Sequence, residues 1–293
     1  MGSLARTGDE PPELFICNTD VDLSEFRDYV FKKYADNYAE MILRYVRKYL
    51  DLIDNPSMLE TFSNSKKNNV LKSLIAFSKF HGFYQHFKDT LKNYGVTWSH
   101  TSSVDSFFRI MNNANDDVIE WYNEATGILD DNDLNLYLRF ALMSGLRKSE
   151  AINSFNLLVK LHNEEKLSSY YNEELRTIEH FRYPDIFFRR TKNVFIPMIP
   201  KRMIYQIVQC NPVTYEMIRK RLYRRRMSVK IDKLRDYYAT FMVRHGLIKE
   251  EVDLLQGRIS KSIFVRHYWS PAISELRERV FKALEELKQT ILS

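Results

Sequence analysis

Apolar residues recur every three or four positions along most of this chain, and that spacing restricts the fold more than any other feature. Residues 273–291 are the clearest case, because their apolar members form one stripe along a helix. Glycine and proline, with eight residues each among 293, are scarce, which argues against an all-β protein. We therefore expect a mainly α-helical fold.

One stretch, residues 183–200, carries the pattern of β-structure. Two short apolar runs, 186–188 and 194–198, stand on either side of a polar turn that contains Lys192. We expect a β-hairpin with Lys192 at or near its tip, and hence a small β-sheet within the helical fold.

Periodicity and length together predict two domains. A flexible lead-in precedes a compact helical bundle, and a turn-rich connector separates this bundle from a larger helical domain. The predicted bounds are 1–20 for the lead-in, 21–95 for the bundle, 96–103 for the connector and 104–293 for the second domain. Within the second domain Gly145 breaks an apolar helix, which places Arg147 in a tight turn before a helix that Ser149 could cap.

Basic residues are concentrated in one part of the chain. The net charge is only +6, but residues 186–235 contain fourteen Lys and Arg against two acidic residues. A local field of that size is typical of a surface that binds polyanions, with nucleic acid as the first candidate and a solvated helix face as the alternative. The candidate DNA-binding residues in the two domains are Arg44, Arg47, Lys66, Lys67, Lys72, Arg190, Arg221, Arg224, Arg225 and His267.

Cysteine usage and hydropathy indicate the compartment. Cys17 and Cys210 are far apart and belong to no Cys/His cluster, which fits a reducing environment without a disulfide framework or a zinc site. No apolar run approaches the roughly 18 residues that span a bilayer, and the first residues lack an apolar signal core. We expect a soluble, cytoplasmic protein.

Four motifs stand in order along the second domain and are the candidates for chemistry. They are centred on Arg147 in SGLRKSE, on Lys192 in the predicted hairpin, on Arg235 in DKLRDYYATFM, and on Arg258 in LLQGRISKSIFVRHY, which also contains Tyr268. A tyrosine hydroxyl is a poor nucleophile unless a neighbour takes its proton or stabilises its anion. Here the tyrosine stands among cations that could also hold a phosphodiester.

In order and spacing these motifs resemble those of the tyrosine recombinase (phage-integrase) family, and in particular the integrases of archaeal viruses and mobile elements. SGLRKSE is similar to the first arginine motif of that family and DKLRDYYATFM to the second. LLQGRISKSIFVRHY is similar to the segment that ends in the nucleophilic tyrosine. The resemblance covers about residues 20–293. It implies a helical core DNA-binding domain and a catalytic domain that close around duplex DNA as a C-shaped clamp.

The resemblance also implies a role for each catalytic candidate. Arg147 and Arg235 would hold the scissile phosphate, since the planar guanidinium gives bidentate hydrogen bonds to phosphate. Arg258 stands where the family usually has histidine and would add a third donor. Lys192 would protonate the leaving 5′-oxygen, and Tyr268 would form a 3′-phosphotyrosine. The covalent bond keeps the energy of the broken linkage, so neither a metal nor any other cofactor is implied.

Asp232 departs from the family pattern, because the second motif usually opens with histidine or lysine. A carboxylate facing a phosphate would repel it. Three alternatives remain open: Asp232 accepts the tyrosine proton, pairs with an arginine, or turns away while Lys233 or Lys230 takes its place. Glu150, in contrast, is expected to orient the turn of the first arginine and to take no part in the chemistry.

The expected partner is double-stranded DNA with attachment-type sites. Exchange between two duplexes requires four protomers, so we expect a homotetramer on DNA and a monomer in solution. The final helix would pack on its own domain or link protomers. Two alternatives remain, a nicking and closing enzyme like the type IB topoisomerases and a catalytically impaired DNA-binding protein that keeps the fold.

Overall fold

The computed structural model describes residues 22–98, 102–112, 116–188, 193–259, 262 and 267–291. Within the described residues the fold is mainly helical with one two-stranded antiparallel sheet, as the sequence predicts. Contacts between residues divide the chain into two units, 1–112 and 113–293. The narrower connector expected at 96–103 stays a prediction. No described helix is both long and apolar enough to cross a membrane.

The amino-terminal unit is a helical bundle built on the contact between its second and third helices. Ile42 and Val46 on one helix and Leu74 on the other are almost fully buried in its core. The α-helices are α1 (Ser24–Lys33), α2 (Asp36–Tyr49), α3 (Asn64–Phe80), α4 (Tyr84–Asn93) and α5 (Ser103–Asn112), with 3₁₀ turns at Leu50–Ile53 and Pro56–Thr61. The amino-terminal unit is therefore helical, as the periodicity predicts.

The carboxy-terminal unit surrounds a buried central helix, α7, which packs against the helices before and after it and against α12. Leu134, Leu138 and Leu142 of α7 are completely buried. The helices of this unit are α6 (Asp116–Leu129), α7 (Asn132–Ser144), α8 (Lys148–Asn163), α9 (Pro184–Phe187), α10 (Lys201–Ile207), α11 (Tyr215–Arg224), α12 (Ile231–Arg244), α13 (Lys249–Leu255) and α14 (Ile273–Thr290), with 3₁₀ turns at Leu167–Ser169 and His180–Arg182.

The final helix, α14, packs on its own unit. Its apolar stripe, including Leu276, Val280 and Leu287, is buried in the same core as α7 and α12. Of the two alternatives for this stripe, packing within the protomer is the one that the structure adopts. A link between protomers would therefore have to use another surface of the helix.

The small sheet does not lie where the sequence predicts it. Its strands are β1 (Tyr171–Asn172) and β2 (Thr177–Ile178), paired antiparallel. The predicted first run, 186–188, is mostly the short helix α9, because Pro184 stands at a position where its fixed φ favours a helical start. Among the described residues, an isolated bridge between Phe188 and Asn193 is what remains of the predicted hairpin.

The predicted second run pairs instead with the chain around β2. The Ile178 N–H donates to the Pro197 carbonyl at 3.0 Å, and the His180 N–H donates to the Phe195 carbonyl at 2.9 Å. Residues 193–199 therefore run beside β2 and lead towards the site described below. Lys192 and Arg190, which the sequence places at the turn of the hairpin, lie outside the described residues.

Candidate active site

The turn between α7 and α8 positions the first arginine. Gly145 has a φ of 61°, and a Cβ at this position would lie 2.3 Å from a ring carbon of Tyr238, so the turn presses against α12. Arg147 caps α8. The backbone N–H of Arg147 donates to the buried carboxylate of Glu150 at 3.0 Å, and the Nη1 of Arg147 donates to the same carboxylate at 2.5 Å. Glu150 therefore orients this turn, whereas the expected cap, Ser149, lies within the helix.

A second turn, after α13, carries the third arginine. Gly257 has a φ of 70°, and a Cβ here would lie only 2.0 Å from the carbonyl oxygen of Asn193. Only glycine therefore allows this turn to touch the backbone that follows Lys192. The exposed guanidinium of Arg258 lies 3.6 Å from the carboxylate of Asp253, which belongs to α13.

Arg235 on α12 joins the two turns. Its buried guanidinium donates through Nη1 to the carbonyl of Gly145 and through Nη2 to the carbonyl of Gln256, both at 2.8 Å. The side-chain amide of Gln256 donates in return to the Arg235 carbonyl at 3.1 Å. Each carbonyl stands two residues before another arginine, so this guanidinium holds Arg147 and Arg258 on either side of itself.

The three guanidinium groups share one electrostatic environment. Burial, followed by the charges of Arg147 and Arg258, lowers the pKa of Arg235 to about 10. Arg235 still carries its charge near neutral pH. An anion placed among the three groups would relieve their repulsion, so the arrangement is suited to a phosphate.

Tyr268 lies in an exposed turn between these arginines and α14, and 74% of its surface is accessible. The next residue, Trp269, lines a cavity of about 370 Å³ that Arg258 also lines, so the tyrosine segment and the third arginine are neighbours. No hydrogen bond among the described residues joins Tyr268 to the arginines. His267 is exposed beside it.

In the amino-terminal unit, four of the five DNA-binding candidates have accessible side chains. Arg44, Arg47 and Lys72 are exposed, and the ammonium of Lys66 lies 3.5 Å from the ring centroid of Phe62. Lys67 is different, because its ammonium is buried and paired with Glu60 at 2.6 Å. The DNA-binding role predicted for Lys67 requires an accessible side chain, and the structure instead places Lys67 in a buried ion pair.

On α11 the candidates divide in the same way. Arg221 bonds to the carboxylate of Asp131 at 2.6 Å and to the carbonyl of Leu129, which ties α11 to the turn before α7. Arg224 and Arg225 are exposed, and no acidic side chain in the described part of the chain pairs with them. These two arginines are the ones that remain free to meet a polyanion.

Two contacts of the site are not predictable from the sequence. Gln256 appeared only as part of a motif, and nothing in its local sequence indicates a bond with Arg235 twenty-one residues earlier. The ammonium of Lys148 lies 3.4 Å from the carboxylate of Asp232, which is eighty-four residues later in the sequence. A single sequence contains no local signal for either pairing.

A mainly helical domain in which arginines from three separate motifs converge, with a tyrosine shortly after the third, is the arrangement of a tyrosine recombinase. The sequence model of one family in this class, described as archaeal phage integrase, matches residues 110–278, more than half of the chain. The chain therefore belongs to the archaeal phage integrase family. Membership indicates a site-specific recombinase in the broad sense and implies DNA binding. No curated protein shows significant similarity to the chain.

Proposed function

We propose that this protein is a site-specific DNA recombinase that integrates DNA by cleaving and rejoining strands through a 3′-phosphotyrosine. The hydroxyl of Tyr268 attacks the phosphorus, the bond to the 5′-oxygen breaks, and Lys192 supplies a proton to that oxygen. The tyrosine loses one proton and the leaving oxygen gains one, so this exchange of esters is balanced without a cofactor. A 5′-hydroxyl from a second duplex then reverses the step and rejoins the strands.

The observation that carries this proposal is the bridge that Arg235 makes between the turns of Arg147 and Arg258. A phosphodiester resists attack because its non-bridging oxygens are charged, and charge neutralisation at those oxygens is the main contribution that a protein can make. The carbonyls of Gly145 and Gln256 hold the Arg235 guanidinium between the turns of Arg147 and Arg258, so the three cations that would provide this neutralisation are in place before DNA arrives. Their remaining N–H groups are available to the phosphate.

We further propose that the two units bind one duplex together and that four protomers assemble on a pair of attachment-type sites from monomers in solution. The exposed basic residues of α2, α3 and α11 would contact the DNA backbone. Such contacts provide affinity that depends steeply on salt, but they carry no sequence choice. Because the apolar stripe of α14 is used within the protomer, contacts between protomers would come from other surfaces.

The test is trapping of the covalent intermediate on nicked duplex DNA of randomised sequence, in which the cleaved fragment diffuses away. We expect the parent protein to yield DNA that stays bound after denaturation, and Tyr268→Phe to yield none. Tyr223→Phe is the matched control, because Tyr223 is 77% exposed and Tyr268 74%. Sequencing the trapped DNA would reveal the preferred site.

The possible outcomes separate the proposal from its rivals. DNA binding without any trapped adduct would indicate a catalytically impaired DNA-binding protein. Adducts on every sequence, together with relaxation of supercoiled plasmid by monomers, would indicate a nicking and closing enzyme. Adducts on one sequence that depend on Tyr268, with joining of two duplexes, are the expected result.

A further inference from the structure

Asp232 occupies the position one helical turn before Arg235, on the same helix as the central arginine of the site. Its carboxylate is 75% exposed, and its ion-pair partner is the ammonium of Lys148, 3.4 Å away. The carboxylate is therefore paired with a cation from another helix, α8, which begins at this lysine.

The two lysines near Asp232 in the sequence have other partners. Lys230 bonds to the carboxylate of Asp117 at 2.7 and 2.8 Å, and Lys233 lies 3.8 Å from the carboxylate of Asp236. Neither lysine therefore takes the place of the histidine or lysine that the family usually has at the position of Asp232. The structure therefore favours Lys148, which no motif singles out.

Three contacts hold Lys148 in place. Its ammonium lies 4.2 Å from the ring centroid of Tyr215, in addition to its bond with Asp232. The buried hydroxyl of Tyr137 donates to its backbone carbonyl at 3.4 Å. The side chain is 32% exposed, so solvent and an incoming ligand can still reach it.

The ion pair between Lys148 and Asp232 joins the same two elements of the fold that carry Arg147 and Arg235. Lys148 directly follows Arg147, and Asp232 lies one turn before Arg235, so both pairs connect the start of α8 with α12. An ammonium has three N–H groups, and the carboxylate accepts only one of them in this geometry. The others remain for a further acceptor, such as an oxygen of a phosphate bound by Arg147, the residue directly before Lys148.

We propose that Lys148 is an additional catalytic residue that donates to a non-bridging oxygen of the scissile phosphate, with Asp232 as the positioning residue that holds its ammonium. This inference rests on the proposed function of the site. In this arrangement the pair of Lys148 and Asp232 has no net charge, so Lys148 offsets the repulsion between that carboxylate and DNA. The hydrogen-bond donor expected one turn before the second arginine is thus supplied from a different helix.

The test compares Lys148→Ala with Lys230→Ala on the DNA sequence recovered by trapping. The control is closely matched, because Lys230 is 33% exposed and its partner 67%, against 32% and 75% for the proposed pair. We expect Lys148→Ala to slow adduct formation at saturating protein about ten- to hundredfold, with less than about a threefold change in the Kd for DNA. Lys230→Ala should keep the parental rate.

A second substrate separates a phosphate contact from a merely structural role. In a methylphosphonate, a methyl group replaces one non-bridging oxygen and removes the charge that Lys148 would neutralise. The defect of Lys148→Ala should shrink to about threefold or less on this DNA. On ordinary phosphodiester DNA, the variant that exchanges the pair, Lys148→Asp with Asp232→Lys, should recover most of the parental rate.

The opposite results would overturn the inference. If Lys148→Ala forms adducts at the parental rate, or loses the same factor on both substrates, the lysine does not contact the scissile phosphate. If the parent itself forms no adduct that depends on Tyr268, the proposed function has failed, and the inference falls with it.

Discussion

The close contact between Gly257 and Asn193 makes a quantitative prediction about the Gly257→Ala variant. The new Cβ would lie 2.0 Å from the Asn193 carbonyl oxygen and 2.6 Å from the Cα of Val194, whereas Cβ contacts below 3.0 Å are essentially never found. The obstructing atoms are backbone atoms, so one of the two segments has to move by about 1 Å. The positive φ of 70° adds roughly 1–2 kcal/mol, because a Cβ is strained in that region.

Together these effects should destabilise the protein by about 2–5 kcal/mol, since overpacking alone typically costs about 1–3 kcal/mol. The same displacement should slow adduct formation by about a hundredfold, because a shift of about 1 Å in a reacting group has that effect. Gly246→Ala is the control in the same unit. Gly246 also has a positive φ, 94°, but no atom lies within 4 Å of its built Cβ.

Thermal unfolding and single-turnover trapping on the selected DNA would measure the two effects. The control should show the backbone strain alone, with a rate within about threefold of the parent. Equal stability and equal rates for the two alanine variants would refute the reasoning, because they would mean that the turn of Arg258 does not rest on the chain after Lys192.

Three further predictions concern surfaces and pH. The Lys67→Met variant should leave the affinity for DNA unchanged and alter only stability, whereas Lys72→Ala should weaken binding in a titration of labelled duplex. The double replacement of Arg224 and Arg225 by alanine should reduce the slope of log K against log salt by about two, and an unchanged slope would exclude them as phosphate contacts. Burial lowers the pKa of His180 to about 3 from 6.5. The unfolded chain therefore binds the proton first, and stability should fall below about pH 6.5 by up to about 1.4 kcal/mol per pH unit, a dependence that His180→Gln should remove.

The helices could be predicted because each buries one face, and a buried face requires apolar residues every three or four positions. The stripe of α14 and the apolar run of α7 are examples, and both are found where the pattern predicts them. The sheet could not be predicted in this way, because strands of two residues, such as β1, are too short to show a period of two. The remaining difference, a helix in place of the predicted first strand, is explained by Pro184, which favours a helical turn where the apolar run suggested a strand.

The site was predictable only as a set of motifs. The motif order identified Arg147, Arg235 and Arg258, and the structure brings these three together. Their supporting contacts depend on which turns meet in three dimensions, and a single sequence does not contain that information. The same limit explains Lys67, whose burial depends on Glu60 in the preceding 3₁₀ turn and not on its own helix face.

The position of Arg235 explains how a site with so many cations can exist before DNA binds. Burying a guanidinium is costly unless hydrogen bonds replace its lost water, and the carbonyls of Gly145 and Gln256 supply two such bonds. The same bonds fix the two turns, so the energy that compensates the burial also sets the spacing of Arg147 and Arg258. The three cations still repel one another, so an anion that binds among them is stabilised. A phosphodiester would relieve this repulsion without rearrangement of the protein. A variant such as Arg235→Lys should therefore lose both the phosphate contact and the alignment of its neighbours, because an ammonium cannot reach two carbonyls in opposite turns with the geometry of a planar fork.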